Sequence, residues 1–93
     1  MSKIQVDATN PQFRKNFLDL EKDKKEALAR VLKKISQMTW SQLYQDSGLK
    51  WEKIKQKEAY SFRFSQKYRA IALREGEYLR LISLHTDHDS AYH

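Results

Sequence analysis

The stretch Tyr60-Ser61-Phe62-Arg63-Phe64-Ser65-Gln66-Lys67-Tyr68-Arg69-Ala70-Ile71-Ala72-Leu73-Arg74 decides the fold. Tyr60, Phe62 and Phe64 alternate with Ser61 and Arg63, the period of two that a half-buried strand shows. Ser65-Gln66-Lys67 reads as a turn. A second strand, Tyr68 to Arg74, sets Tyr68, Ala70 and Ala72 against Arg69, Ile71 and Leu73. Glu75-Gly76 supplies a two-residue hairpin in which Gly76 can take positive φ. A third strand, Tyr78 to Leu84, is apolar on both faces, with Leu79 and Leu81 on one and Ile82 and Leu84 on the other, the pattern of a central strand. The same alternation puts His85 on the face of Leu79, Leu81 and Ser83. Polar positions of the meander carry Arg63, Arg69 and Arg80, and the chain then runs into His85-Thr86-Asp87-His88-Asp89-Ser90-Ala91-Tyr92.

Upstream of these strands the hydrophobic period lengthens. Asn10-Pro11 predicts a helix start, because Asn caps and Pro suits the first turn, where its missing N–H costs nothing. Phe13, Phe17 and Leu20 then mark one helical face. Glu21-Lys22-Asp23-Lys24 breaks the pattern, and Asp23 with Glu26 has capping-box spacing for a second helix. That helix turns Leu28, Val31, Leu32 and Ile35 inward and Lys25, Arg30, Lys33 and Lys34 outward. The short connection predicts an antiparallel helical hairpin. Thr39 with Gln42 repeats the capping-box spacing and starts a short helix from Trp40 to about Gln45, with Gly48 as its left-handed cap. Trp40 and Trp51 bracket this turn and read as core aromatics, although either has a face on which a base can stack. Leu49 to Lys57 is a basic connector, and Ile4 with Val6 suggests a short edge strand. The expected fold is α+β over residues 1–93 as a single domain. A helical hairpin and a short helix cover one face of a C-terminal antiparallel sheet of three to four strands, leaving the other face open and lined by Arg.

Composition narrows the chemistry. There is no cysteine among the 93 residues, which excludes disulfides, thiolate metal sites and a Cys nucleophile. No apolar run approaches the length of a membrane span and the first residues lack a signal-peptide core, so a cytoplasmic protein with no membrane partner is expected. The formal net charge is +6, and residues 50–69 hold seven basic side chains against two acidic ones. That patch, with Lys53, Lys55, Lys57 and Lys67 beside Arg63 and Arg69, suits a polyanion such as RNA, or an acidic protein. An Arg fork on a strand suits a phosphate better than Lys does. A His whose ordinary titration lies near neutrality can move a proton during phosphodiester cleavage, which makes His85 and His88 candidates. His-x-Asp-His-Asp also offers metal ligands, but no second ligand cluster accompanies it, so no metal and no cofactor are expected. Ser90 lacks a visible triad. The ordinary alternative is a solvated sheet face with a polar tail.

The run Phe62 to Leu73, the Gly-containing hairpin, the strand Tyr78-Leu79-Arg80-Leu81-Ile82-Ser83-Leu84 and the end His85 to Tyr92 resemble the RelE/ParE toxin superfamily of bacterial toxin–antitoxin pairs. The likeness covers almost the whole chain, and its sharpest part is Tyr68-Arg69 at the start of strand two. It implies a ribosome-dependent, metal-independent mRNA endonuclease in which a 2′-hydroxyl attacks the adjacent phosphate. By the same resemblance Arg69 matches the strand arginine used on the phosphate, and Tyr92 matches a C-terminal tyrosine that stacks on or orients the substrate. Arg63 is similar to a basic residue of the preceding strand. The chain departs from RelE at the end of strand three, where His85-Thr86-Asp87-His88 replaces an Arg-containing segment. Some relatives place a catalytic His there, so His85 or His88 is implied as the acid/base. The implied partners are mRNA on the ribosome and an acidic antitoxin, the free protein being a monomer or weak dimer. ParE-like gyrase inhibition, or a non-catalytic RNA- or partner-binding module, are the alternatives on the same fold.

Overall fold

The structure, a computed structural model, describes residues 2–86. Its element order is β1 (Gln5–Asp7), α1 (Pro11–Leu18), α2 (Lys22–Ser36), α3 (Trp40–Gln45), β2 (Glu52–Lys53), β3 (Tyr60–Ser65), β4 (Tyr68–Glu75) and β5 (Tyr78–Thr86). The architecture is α+β, as expected, but the sheet has five strands in the order β1-β5-β4-β3-β2. It is mixed: β1 runs parallel to β5, and the other pairs are antiparallel. The expected count of three to four strands missed β2. Two residues carry no periodic signal, and their pairing with Ser61 and Tyr60 is non-local.

The helix boundaries follow local chemistry where a cap is present. Asn10 Oδ1 accepts from the N–H groups of Gln12 and Phe13, at 2.8 and 3.2 Å, and Pro11 opens α1. Thr39 and Gln42 close a full capping box at the start of α3. The box expected at Asp23 does not form. The helix begins at Lys22 after Glu21, without a side-chain cap, and Asp23 instead lies in the first turn, where its charge meets the helix dipole. Gly48 does not supply the left-handed cap after α3. Asp46 Oδ1 holds that turn by accepting from Gly48 and Leu49, and the left-handed residue is Lys50, at φ 50°. The β4–β5 hairpin turns at Gly76-Glu77, one residue later than expected, with Gly76 at φ 62°.

The core lies between the helices and one face of the sheet. Leu28 and Ile35 from α2, Leu43 from α3 and Phe13 from α1 meet Phe62, Ala70, Ala72, Leu79, Leu81 and Leu84. Each large apolar side chain buried this way contributes about 1.5–3 kcal/mol. Helix α1 lies along β5, and α2 lies against β3 and β1. The free edge of β5 is tied down where Asn16 Oδ1 accepts from the Leu84 N–H at 3.1 Å. Trp51 stacks on Tyr60 with ring centroids 4.8 Å apart, and Trp40 donates to the Gly76 carbonyl at 3.0 Å. Both tryptophans therefore serve packing. No helix among the described residues is long and apolar enough to cross a membrane.

Two bulges set which side chains face outward. Arg63 and Ser65 on β3 oppose Arg69 and Tyr68, so Phe64 is an extra residue. On β5, Leu81 and Ser83 oppose Ala72 and Ile71, so Ile82 is extra. The second bulge explains why β5 looked apolar on both faces. Leu79 and Leu81 point to the core before it and Leu84 after it, because one extra residue shifts a period of two by one step. The strand is not central; β4 is. The expectation that His85 shares a face with Leu79 and Leu81 is likewise corrected. His85 lies on the opposite face, together with Ser83.

Candidate functional site

Between the two bulges the three long strands run in regular register. Arg63 on β3 pairs with Arg69 on β4, and Arg69 pairs with His85 on β5. These three residues form one cross-strand row on one face of the sheet. The next row, Phe62, Ala70 and Leu84, is buried, so the Arg–Arg–His row faces away from the helices. The row beyond it is Ser61, Ile71 and Ser83, again on the outer face. Three of the expected site residues are thus brought side by side. The other two, His88 and Tyr92, lie outside the described residues, as do Asp87, Asp89 and Ser90.

Arg69 is the most constrained member. Its side chain is 11% exposed and crosses β3 toward the loop before β2. Nη2 donates to the Ser61 hydroxyl at 2.9 Å and to the Lys50 carbonyl at 2.9 Å, and it faces Glu52 Oε1 at 3.4 Å. The backbone explains the carbonyl. Arg63 donates its N–H to the Leu49 carbonyl at 2.7 Å, and Glu52 pairs with Ser61, so three chain steps lie opposite two. The surplus residue takes the left-handed conformation at Lys50 and turns its carbonyl out of the ladder. Ser61 is 1% exposed and is the buried polar residue of this region. The alternation with Phe62 put Ser61 on the same strand face as Arg63, but only the register of β3 on β4 brings it to Arg69.

His85 shares a hydrogen bond of 2.8 Å with the hydroxyl of Ser83 through Nε2. The i, i+2 spacing on a strand puts both on one face, which was the legible signal for Ser83. His85 also lies at the rim of a cleft of about 280 Å³ lined by Asn16, Asp19, Glu21, Tyr68 and Thr86. Arg63 is half-buried and makes no ion pair or side-chain hydrogen bond among the described residues.

The lysines Lys53, Lys55, Lys57 and Lys67 are all exposed. Lys53 stands on β2 at the edge of the sheet, and Lys55 and Lys57 follow in the turn closed by the Ile54 N–H to Ala59 carbonyl bond at 2.9 Å. Lys67 occupies the β3–β4 turn at φ 68°. The four lysines thus stand at the β2 edge, in the turn after it and in the β3–β4 turn, with Glu58 facing Lys53 at 3.9 Å.

Arg80 also points outward, but to a different end. It pairs with Asp7 across the parallel β1–β5 ladder and also bonds Glu75. Those carboxylates, Glu75 first, raise its pKa above the ordinary guanidinium value. Asp7 is held below the usual carboxylate range by hydrogen bonds from the Thr9 hydroxyl and N–H, helped by Arg80. Asp46, at the base of the Arg69 loop, is lowered chiefly by Lys34, whose Nζ lies 2.8 Å from Oδ2.

What the row can do follows from its chemistry. A guanidinium binds an oxyanion, and an imidazole takes or gives a proton at an oxygen. No family model matches the chain, and no curated protein matches it.

Proposed function

We propose that the protein is the toxin of a type II toxin–antitoxin pair of the RelE/ParE kind and cuts mRNA on the ribosome. The observation that carries this reading is the Arg63–Arg69–His85 row, set on the outer face of a sheet bordered by exposed lysines. In this reading a substrate phosphate sits over Arg63 and Arg69. The arginines gain more from the crowded, more highly charged transition state than from the ground state, which lowers the barrier. His85 takes the proton of the attacking 2′-hydroxyl and returns it to the leaving 5′-oxygen, with Ser83 fixing the orientation of the ring. The products are a 2′,3′-cyclic phosphate and a free 5′-hydroxyl, and the proton count balances without a metal. Lys53, Lys55, Lys57 and Lys67 add phosphate contacts along the strand or the ribosomal RNA. Bulges that flank the row favour the same reading, because such irregularities concentrate beside sites where side chains must be re-aimed. The partner that restrains the free toxin is an acidic antitoxin segment, and the basic border gives it a long-range attraction that salt weakens.

Expression in bacteria tests this. Growth arrest with mapped cuts inside translated messages, relieved by Arg69→Ala, is the expected result. Growth arrest with intact messages and failing gyrase supercoiling points to a gyrase inhibitor instead. Neither arrest nor cutting leaves a binding module.

A further inference from the structure

Arg69 is the central cation of the row, yet the chain itself occupies it. We infer that Glu52 is an internal competitor for the anion that Arg69 binds, displaced when a phosphate arrives. This rests on reading the Arg63–Arg69–His85 row as a phosphate site.

The three acceptors on Nη2 are not equivalent. The Lys50 carbonyl and the Ser61 hydroxyl are neutral, lie at 2.9 Å and belong to elements built into the sheet. They orient the guanidinium. Glu52 Oε1 lies at 3.4 Å, is charged, and belongs to a side chain 67% exposed. Its strand is two residues long, exposed at both, and lies at the edge of the sheet. A carboxylate oxygen there stands in for a phosphate oxygen in charge and in hydrogen-bonding role. It holds weakly, because an exposed ion pair is screened by water and the long side chain loses entropy to keep it. A phosphodiester brings the same charge with acceptor oxygens that can take the guanidinium hydrogens left over by the two neutral contacts. The Arg69 side chain is 11% exposed, and Glu52 is the charged group beside it on the β2 side. The neutral contacts keep the guanidinium in place when Glu52 leaves. Arg80 lacks this feature: two carboxylates hold it, and no neutral acceptor among the described residues would keep it aimed outward after they left.

The test is fluorescence anisotropy with a labelled single-stranded RNA hexamer carrying 2′-O-methyl groups, which binds but cannot be cut. Glu52→Gln should bind about two- to fivefold more tightly than the parent, the range an exposed pair allows. Glu58→Gln removes an equal charge from the same edge and should gain less. In an Arg69→Gln background the advantage of Glu52→Gln should vanish, as a double-mutant cycle requires of a direct coupling. Equal affinity of Glu52→Gln and Glu58→Gln overturns the inference, and so does a gain that survives the loss of Arg69 or an absence of binding by every variant. If Arg69→Gln does not fold, the comparison of the two glutamate variants decides alone. Coupling between Glu52 and Arg69 without any mRNA cleavage would sink the functional reading and leave this one standing. Arg69-dependent cleavage without coupling would do the reverse.

Discussion

Arg69 and Arg80 both project from the outer face of one sheet, and they are held in opposite ways. Arg80 sits between Asp7 and Glu75, pinning β1 and the end of β4 to β5. Its charge is spent inside the fold. Arg69 rests on a carbonyl, a hydroxyl and one exposed carboxylate, in a row with Arg63 and His85. Two of those three acceptors are neutral, and the row adds a second guanidinium and an imidazole. The residue type and its strand position do not separate the two. The surrounding acceptors do.

The largest expected effects break this comparison if they fail. Arg69→Ala should cut ribosome-dependent cleavage by about a hundredfold or more, the scale of losing one preorganised donor at a developing charge. Arg80→Ala should leave the cleavage rate nearly unchanged and lower the melting temperature instead. A similar loss of cleavage from both would mean that neither environment matters. His85→Ala should also cost about a hundredfold or more in single-turnover cleavage. Ser83→Ala should cost less and shift the pH profile, because it changes the orientation and proton sharing of the imidazole rather than removing it.

A smaller effect concerns the basic border. Replacing Lys53, Lys55 and Lys57 together by Ala should weaken RNA binding and flatten its salt dependence. The slope of log K against log salt should fall by about two, the loss of three contacts to a single strand. An unchanged slope would show that these lysines only solubilise the edge.

The smallest effect belongs to the Arg80 corner. Asp7 has a pKa lower in the folded state than in the unfolded chain, where it titrates near the ordinary value of about 3.9. Its stabilisation is therefore complete above about pH 4 and is lost as pH falls through the lower folded value. Asp46, lowered by Lys34, behaves alike. Thermal melts between neutral and strongly acid pH should show stability falling below about pH 4. Asp7→Asn should remove part of that fall. An acid response equal to that of the parent would contradict the role given to Asp7.

How much of this was legible depended on whether the cause was local. The Asn10-Pro11 start and the Thr39–Gln42 box read correctly because caps act within one turn. The alternation of Tyr60 to Arg63 and of Tyr68 to Leu73 read correctly because no bulge interrupts those spans. The phase beyond Ile82 was misread, since a bulge obeys the pairing of two strands and leaves no mark in one of them. The strand at Glu52 and the partners of Arg69 were invisible for the same reason. Lys50 and Ser61 reach Arg69 only through folding, across 19 and 8 positions of chain. Arg69 and His85 were each singled out separately, but that they stand in adjacent strands of one row is a property of the register alone.

The most direct measurement is primer extension on a defined mRNA in a cell-free translation reaction, comparing the parent, Arg69→Ala and Arg80→Ala, with a ribosome-free control. The account predicts discrete cuts within codons, present only with ribosomes, retained by Arg80→Ala and lost in Arg69→Ala. Intact mRNA with the parent protein, or cuts that persist without Arg69, would contradict it.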